Sequence, residues 1–94
     1  MIRYITGRGG SGIGGLGAYL ATLDDDYDVL PIDPKFLQQD IQGQVDSIRE
    51  FINLDSGNII ANSYGAYLLL LSLIDQPRPS IRILLLSPVL GRAI

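Results

Sequence analysis

Ser63 is the residue whose neighbours best equip it for chemistry. It stands in Asn58-Ile59-Ile60-Ala61-Asn62-Ser63-Tyr64-Gly65-Ala66-Tyr67-Leu68, where one apolar run stops and a second begins. Ile59, Ile60 and Ala61 suit a short strand buried on both faces, and Ala66 to Ile74 is rich in good helix formers. A hydroxyl between the two is held out at the tip of a strand-to-helix turn, the position of a serine nucleophile in the Gly-x-Ser-x-Gly pattern, whose small residues let the two arms crowd together. Here the pattern reads Ala61-Asn62-Ser63-Tyr64-Gly65, with Ala in place of the first Gly. The alternative use of the same serine is structural, as a cap on the helix that follows.

The second unusual stretch is Gly7-Arg8-Gly9-Gly10-Ser11-Gly12-Ile13-Gly14-Gly15-Leu16-Gly17. One reading takes Gly10, Gly12 and Gly15 as a Gly-x-Gly-x-x-Gly dinucleotide fingerprint, with Asp33 at the end of the next strand as the ribose acid. Bare backbone amides and a helix N-terminus do suit a pyrophosphate, but in so glycine-dense a loop the spacing arises easily by chance. The other reading joins the glycines to Ser63. If strands 1 and 3 are neighbours, the glycine loop and the serine turn face one another across the crevice at the carboxyl ends of the strands. In the order 3-2-1 they would stand about 10 Å apart, two strand spacings. Only the first arrangement serves a common purpose, backbone amides aimed at an oxygen that becomes negative.

The elements that must position these loops follow from the apolar pattern. Ile2 to Thr6 reads as a strand, about Ile13 to Leu23 as a glycine-rich helix, and Val29 to Asp33 as a second strand closed by Pro34. Phe36 and Leu37 lead into a helix from about Gln38 to Asn53, on which Ile41, Val45, Ile48 and Ile52 form one apolar stripe with Asp40, Gln44, Asp46, Arg49 and Glu50 largely off it. Asp55-Ser56-Gly57 turns into the third strand. The helix from Tyr64 to about Asp75 follows the serine, and Ile81 to Ser87 is a fourth strand closed by Pro88. Strict alternation of apolar strands and helices predicts an α/β fold: a four-stranded parallel sheet in the order 2-1-3-4 with helices on both faces.

Composition narrows the chemistry. Ninety-four residues, 47% of them apolar, suit one domain spanning 1–94. The chain has neither Cys nor His, so it lacks a disulfide, a thiolate, the commonest general base and the commonest transition-metal ligand. No metal and no cofactor are expected. Asp24-Asp25-Asp26-Tyr27-Asp28 is read as an exposed acidic loop rather than a cation site. A net charge of −3 with dispersed Lys and Arg argues against nucleic acid. The N-terminus has no secretory pattern, and the apolar stretch from Ile59 to Ile74 is too short and too interrupted for a bilayer span, so a cytoplasmic protein without a membrane partner is expected.

Together, these motifs resemble the central portion of the α/β-hydrolase superfamily. Thr6-Gly7-Arg8-Gly9-Gly10-Ser11 looks like the His-Gly-x-Gly-Gly-Ser form of its oxyanion loop, with Thr6 where His usually stands. Asn62-Ser63-Tyr64-Gly65-Ala66 looks like its nucleophile elbow, and Ile83-Leu84-Leu85-Leu86-Ser87-Pro88 is similar to the strand after it. The resemblance implies Ser63 as nucleophile, the backbone amides of Arg8 and Tyr64 as oxyanion donors, and a site lined by Gly7, Gly9, Gly10, Ser11, Asn62 and Gly65. It implies a serine esterase or acyl hydrolase lineage acting on a small-molecule ester. It also implies a triad acid and a His after the serine, and the chain has no acid after Asp75 and no His. A truncated hydrolase core, a piece of a larger domain that is inactive or incomplete as it stands, is therefore expected. Lys35, the only lysine, is the one substitute base on offer. Two further classes stay open: a nucleotide- or anion-binding module using the glycine loop, and an assembly domain. In every case the apolar fourth strand predicts a homo-oligomer or a partner covering that edge.

Overall fold

Strands and helices alternate along the chain as β1 (Ile2–Arg8), α1 (Gly15–Ala21), β2 (Tyr27–Ile32), α2 (Pro34–Leu37), α3 (Ile41–Asn53), β3 (Asn58–Asn62), α4 (Tyr64–Leu73) and β4 (Arg82–Leu86). These are the elements of a computed structural model, which describes residues 2–10, 15–53, 58–74 and 82–86. The strands form one four-stranded sheet in the order β2-β1-β3-β4. Every pairing is parallel: Ile2 to Ile5 of β1 lie beside Tyr27 to Leu30 on one side and Asn58 to Ala61 on the other, and Asn58 to Asn62 lie beside Arg82 to Leu86. The α/β class and the 2-1-3-4 order expected from the alternation are those observed.

The core lies chiefly between the sheet and the pair α3 and α4. Ile5, Ile32, Ile59 and Ala61 of the strands meet Val45, Ile48 and Ile52 of α3 and Ala66, Leu68 and Leu69 of α4, with Phe36 of α2 closing one end. Successive side chains of a strand point to opposite faces, so Tyr4, buried beside Ile5 in sequence but outside this cluster, belongs to the other face, where α1 packs on β1 and β2 and buries Leu20. Helices therefore cover both faces. Arg3 shares the Ile5 face; it is buried, bonds Asp28 and packs its guanidinium 5.3 Å from the centre of the Phe51 ring.

The helix expected from about Gln38 is divided. Asp33 and Pro34 start a separate turn: the Asp33 carboxylate accepts the Phe36 N–H at 2.8 Å, and Pro34 supplies a first helical residue with a preset φ. The carboxylate of Asp40 then accepts the Gly43 N–H at 2.8 Å and begins α3 at Ile41. The apolar stripe differs at two positions as well. Ile41 is exposed, whereas Gln44, expected off the stripe, is buried with 6% of its surface accessible. Gln44 lies four residues before Ile48 on the inward face, and its polar end is satisfied there, as described below.

The expected boundaries that reach Ile13, Asp55 to Gly57, Asp75, Ile81, Ser87 and Pro88 fall outside the described residues. Within them, β4 is an exposed edge: Ile83 and Leu84 face solvent and Leu85 and Leu86 are half-buried. Among the described residues no helix is long and apolar enough to cross a membrane, and no group of three or more acidic side chains is placed to hold a metal ion.

Candidate functional site

The strand order makes β1 and β3 neighbours, so the loop leaving β1 and the turn leaving β3 emerge side by side at the carboxyl edge of the sheet. Their backbones touch. A Cβ added to Gly7 would lie 3.3 Å from Cβ of Ser63 and 3.7 Å from the carbonyl oxygen of Asn62. A Cβ on Gly65 would collide with the Thr6 carbonyl oxygen and sit 2.7 Å from Cγ2 of Ile5. The glycines at 7 and 65 are thus what lets the first turn of α4 lie on the end of β1. Ala61, on the other arm, is fully buried.

Ser63 has φ of 52° and ψ of −118°, and among the described residues it is the one non-glycine with positive φ. This region favours glycine, and a serine held there carries strain on the order of 1–3 kcal/mol that its surroundings must offset. Two hydrogen bonds and one close contact fix the turn. The Ser63 N–H donates to the Leu86 carbonyl at 2.7 Å, the Ser63 carbonyl accepts the Tyr67 N–H at 3.2 Å, and the close approach of Gly65 locks the helix behind it. The Ser63 hydroxyl makes no capping bond to α4, although the residue occupies the N-cap position. The capping alternative is therefore corrected. The chain passes from β3 into α4 through this one residue, whose backbone departs from the extended conformation in which a capping side chain reaches the first helical amides.

The loop after β1 is built by Thr6. Its hydroxyl donates to the Gly7 carbonyl and accepts the Ile32 N–H, both at 2.8 Å, and the residue is buried. The β1–β2 register slips between Ile5 and Arg8, and the Thr6 side chain bridges the slip. Beyond it the Gly9 N–H donates to the Ile32 carbonyl at 2.8 Å and the Gly10 N–H to the Gly7 carbonyl at 3.0 Å. The Arg8 N–H, the donor that the resemblance implies, belongs to this same stretch of backbone at the end of β1. On the other side, the Tyr64 N–H opens α4, where the first N–H groups of a helix have no intrahelical acceptor.

One aromatic and several polar side chains complete the rim. The Arg8 guanidinium lies over the Tyr64 ring, 4.5 Å from its centre. The Tyr64 hydroxyl donates to Oε1 of Gln44 at 2.7 Å, and Nε2 of Gln44 donates to the Gln39 carbonyl at 2.9 Å. Gln44 is the residue of this site that sequence reasoning placed on the wrong side of its helix; its spacing of four from Ile48 was the signal available. Asn62 is half-buried at the end of β3.

Of the remaining residues singled out from the sequence, Ser11 and Gly12 lie outside the described residues, and the others do not join this cluster. Gly15 begins α1, the carboxylate of Asp33 is committed to the cap of α2, and Lys35 is exposed on α2. Comparison with known proteins returns no match, whether to a protein family, a curated protein or a solved structure.

Proposed function

We propose that this chain is the central part of an α/β-hydrolase-type serine acyl hydrolase, with Ser63 at the nucleophile position and the amides of Arg8 and Tyr64 as oxyanion donors. The observation that carries the reading is the backbone of Ser63: a strained, glycine-like conformation at a strand-to-helix turn, with the hydroxyl not spent on capping and the Gly7 loop against it. A fold by itself implies no activity; the strained serine facing an amide-rich loop is a property of the site.

In this reading the Ser63 Oγ attacks the acyl carbon of a small ester. The carbonyl oxygen takes up negative charge beside the two amides, the alkoxide leaves, and water then releases the acyl group from Ser63. The hydroxyl proton needs an acceptor, and the sequence contains no His. These residues hold the nucleophile half of a site and lack its usual base, so any turnover is slow. The test is hydrolysis of p-nitrophenyl butyrate by the wild type and by Ser63→Ala, with and without imidazole as an external base. A Ser63-dependent component that imidazole increases is expected. Equal rates for the two proteins in both conditions would remove the acyl-hydrolase reading.

The proposal extends to assembly. Ile83 and Leu84 on the β4 edge, beside an open groove of about 240 Å³ lined also by Asn58, Ile59, Ile60 and Arg82, support a homo-oligomer or a partner chain covering that edge.

A further inference from the structure

The geometry points to Arg8 as a specificity-determining residue that selects esters carrying a carboxylate on the acyl group, an inference that rests on the hydrolase reading of Ser63. Arg8 and Tyr64 belong to the two loops that meet at the site, each next to a residue of the contact between Gly7 and Ser63. The guanidinium lies over the Tyr64 ring at 4.5 Å, and the ring is held from its far end by the hydroxyl bond to buried Gln44. Stacking engages only the face of a guanidinium; its N–H donors lie in the plane and stay open to an acceptor.

Among the described residues no carboxylate pairs with Arg8, and its side chain is exposed. In a chain of net charge −3, where Arg3 has Asp28 as partner, the Arg8 guanidinium is left open to a carboxylate brought by a ligand. A fixed planar cation at the rim of an acyl site is matched by one carboxylate, which it can bind through two parallel N–H bonds. A phosphate dianion would leave charge uncompensated by the single guanidinium. The ligand class that follows is a monoester of a short dicarboxylic acid, its free carboxylate on Arg8 and its ester carbonyl at Ser63.

The experiment is an NMR titration of the ¹⁵N-labelled chain, which reads binding whether or not hydrolysis occurs. The ligands are monomethyl succinate and its uncharged counterpart methyl butyrate. The Gly7, Tyr64 and Gly65 amides are expected to shift with monomethyl succinate at concentrations about fivefold lower than with methyl butyrate. Arg8→Gln abolishes that difference, and Arg8→Lys, which keeps the charge without the planar fork, retains part of it. Equal affinity of the wild type for the two esters, no shift with either, or a preference that survives in Arg8→Gln overturns the inference. Because this readout needs no turnover, its result is separate from that of the butyrate assay: a selective but inert chain loses the hydrolase reading alone, and an active but unselective one loses the role of Arg8 alone.

Discussion

Ser63 and Gly65 show at the scale of single residues why a chain tolerates an unfavourable backbone. Ser63 sits at φ 52°, where glycine would be relaxed, and Gly65 sits where any Cβ would meet the Thr6 carbonyl. Opposite effects of substitution follow. Ser63→Gly relieves the backbone and is expected to stabilise the fold by about 1 kcal/mol, while Ser63→Ala keeps its Cβ and is expected to bring no such gain. Gly65→Ala pushes a methyl group into the end of β1 and is expected to cost about 2 kcal/mol or more. Urea denaturation at unchanged m-value measures all three. A Ser63→Gly variant less stable than wild type would show that the side chain holds the turn, contrary to its lack of a capping bond. Gly65 was legible as a small residue of the serine pattern, but the atom it avoids was not, because Thr6 and Gly65 are far apart in sequence and meet only through the pairing of β1 with β3.

At the scale of elements, the strands were legible because their apolar runs are short and bounded by turn residues, whereas the start of α3 was not. Two capping carboxylates, Asp33 and Asp40, lie within eight positions and each claims a helix start; pattern alone merges the two helices. β2 carries a group that makes stability sensitive to alkaline pH. Burial first, then the neighbouring charges of Tyr4 and Asp28, push the Tyr27 phenol above its ordinary value. The folded chain therefore keeps that proton in a range where the unfolded chain has lost it, so stability falls with rising pH. The contribution is fully present below about pH 10, the unfolded tyrosine value, and is lost as pH rises through the folded value. The denaturation midpoint is expected to drop above pH 10 and to drop less steeply in Tyr27→Phe; equal slopes would remove burial of this phenol as the cause.

For the whole molecule the decisive feature is an open sheet with β4 at its edge. A parallel sheet is normally covered, yet Ile83 and Leu84 are 39% and 53% exposed on a strand that, among the described residues, is paired on one side alone. An apolar edge in water is a site of association. Light scattering at micromolar concentration is expected to give a mass above that of the 10.2 kDa chain, and Ile83→Lys with Leu84→Lys is expected to return it to the monomer. A wild-type monomer under those conditions would contradict the assembly proposal.

The sequence by itself determined the α/β class and the location of the two unusual loops, because apolar periodicity and glycine content are local properties of the chain. The 2-1-3-4 order could be inferred from it only by asking which arrangement lets the glycine loop and the serine turn share a purpose. The tertiary structure alone decided what those residues do for one another. It left the Ser63 hydroxyl without a capping bond, at a residue whose φ of 52° no local pattern announces. It gave Thr6 a structural bond to β2, turned Gln44 inward to hold Tyr64, and laid Arg8 over that ring. Each of these contacts joins residues distant in sequence: Thr6 meets Ile32 through the β1–β2 pairing, Gln44 meets Tyr64 where α3 packs on α4, and Arg8 meets Tyr64 because β1 and β3 are parallel neighbours.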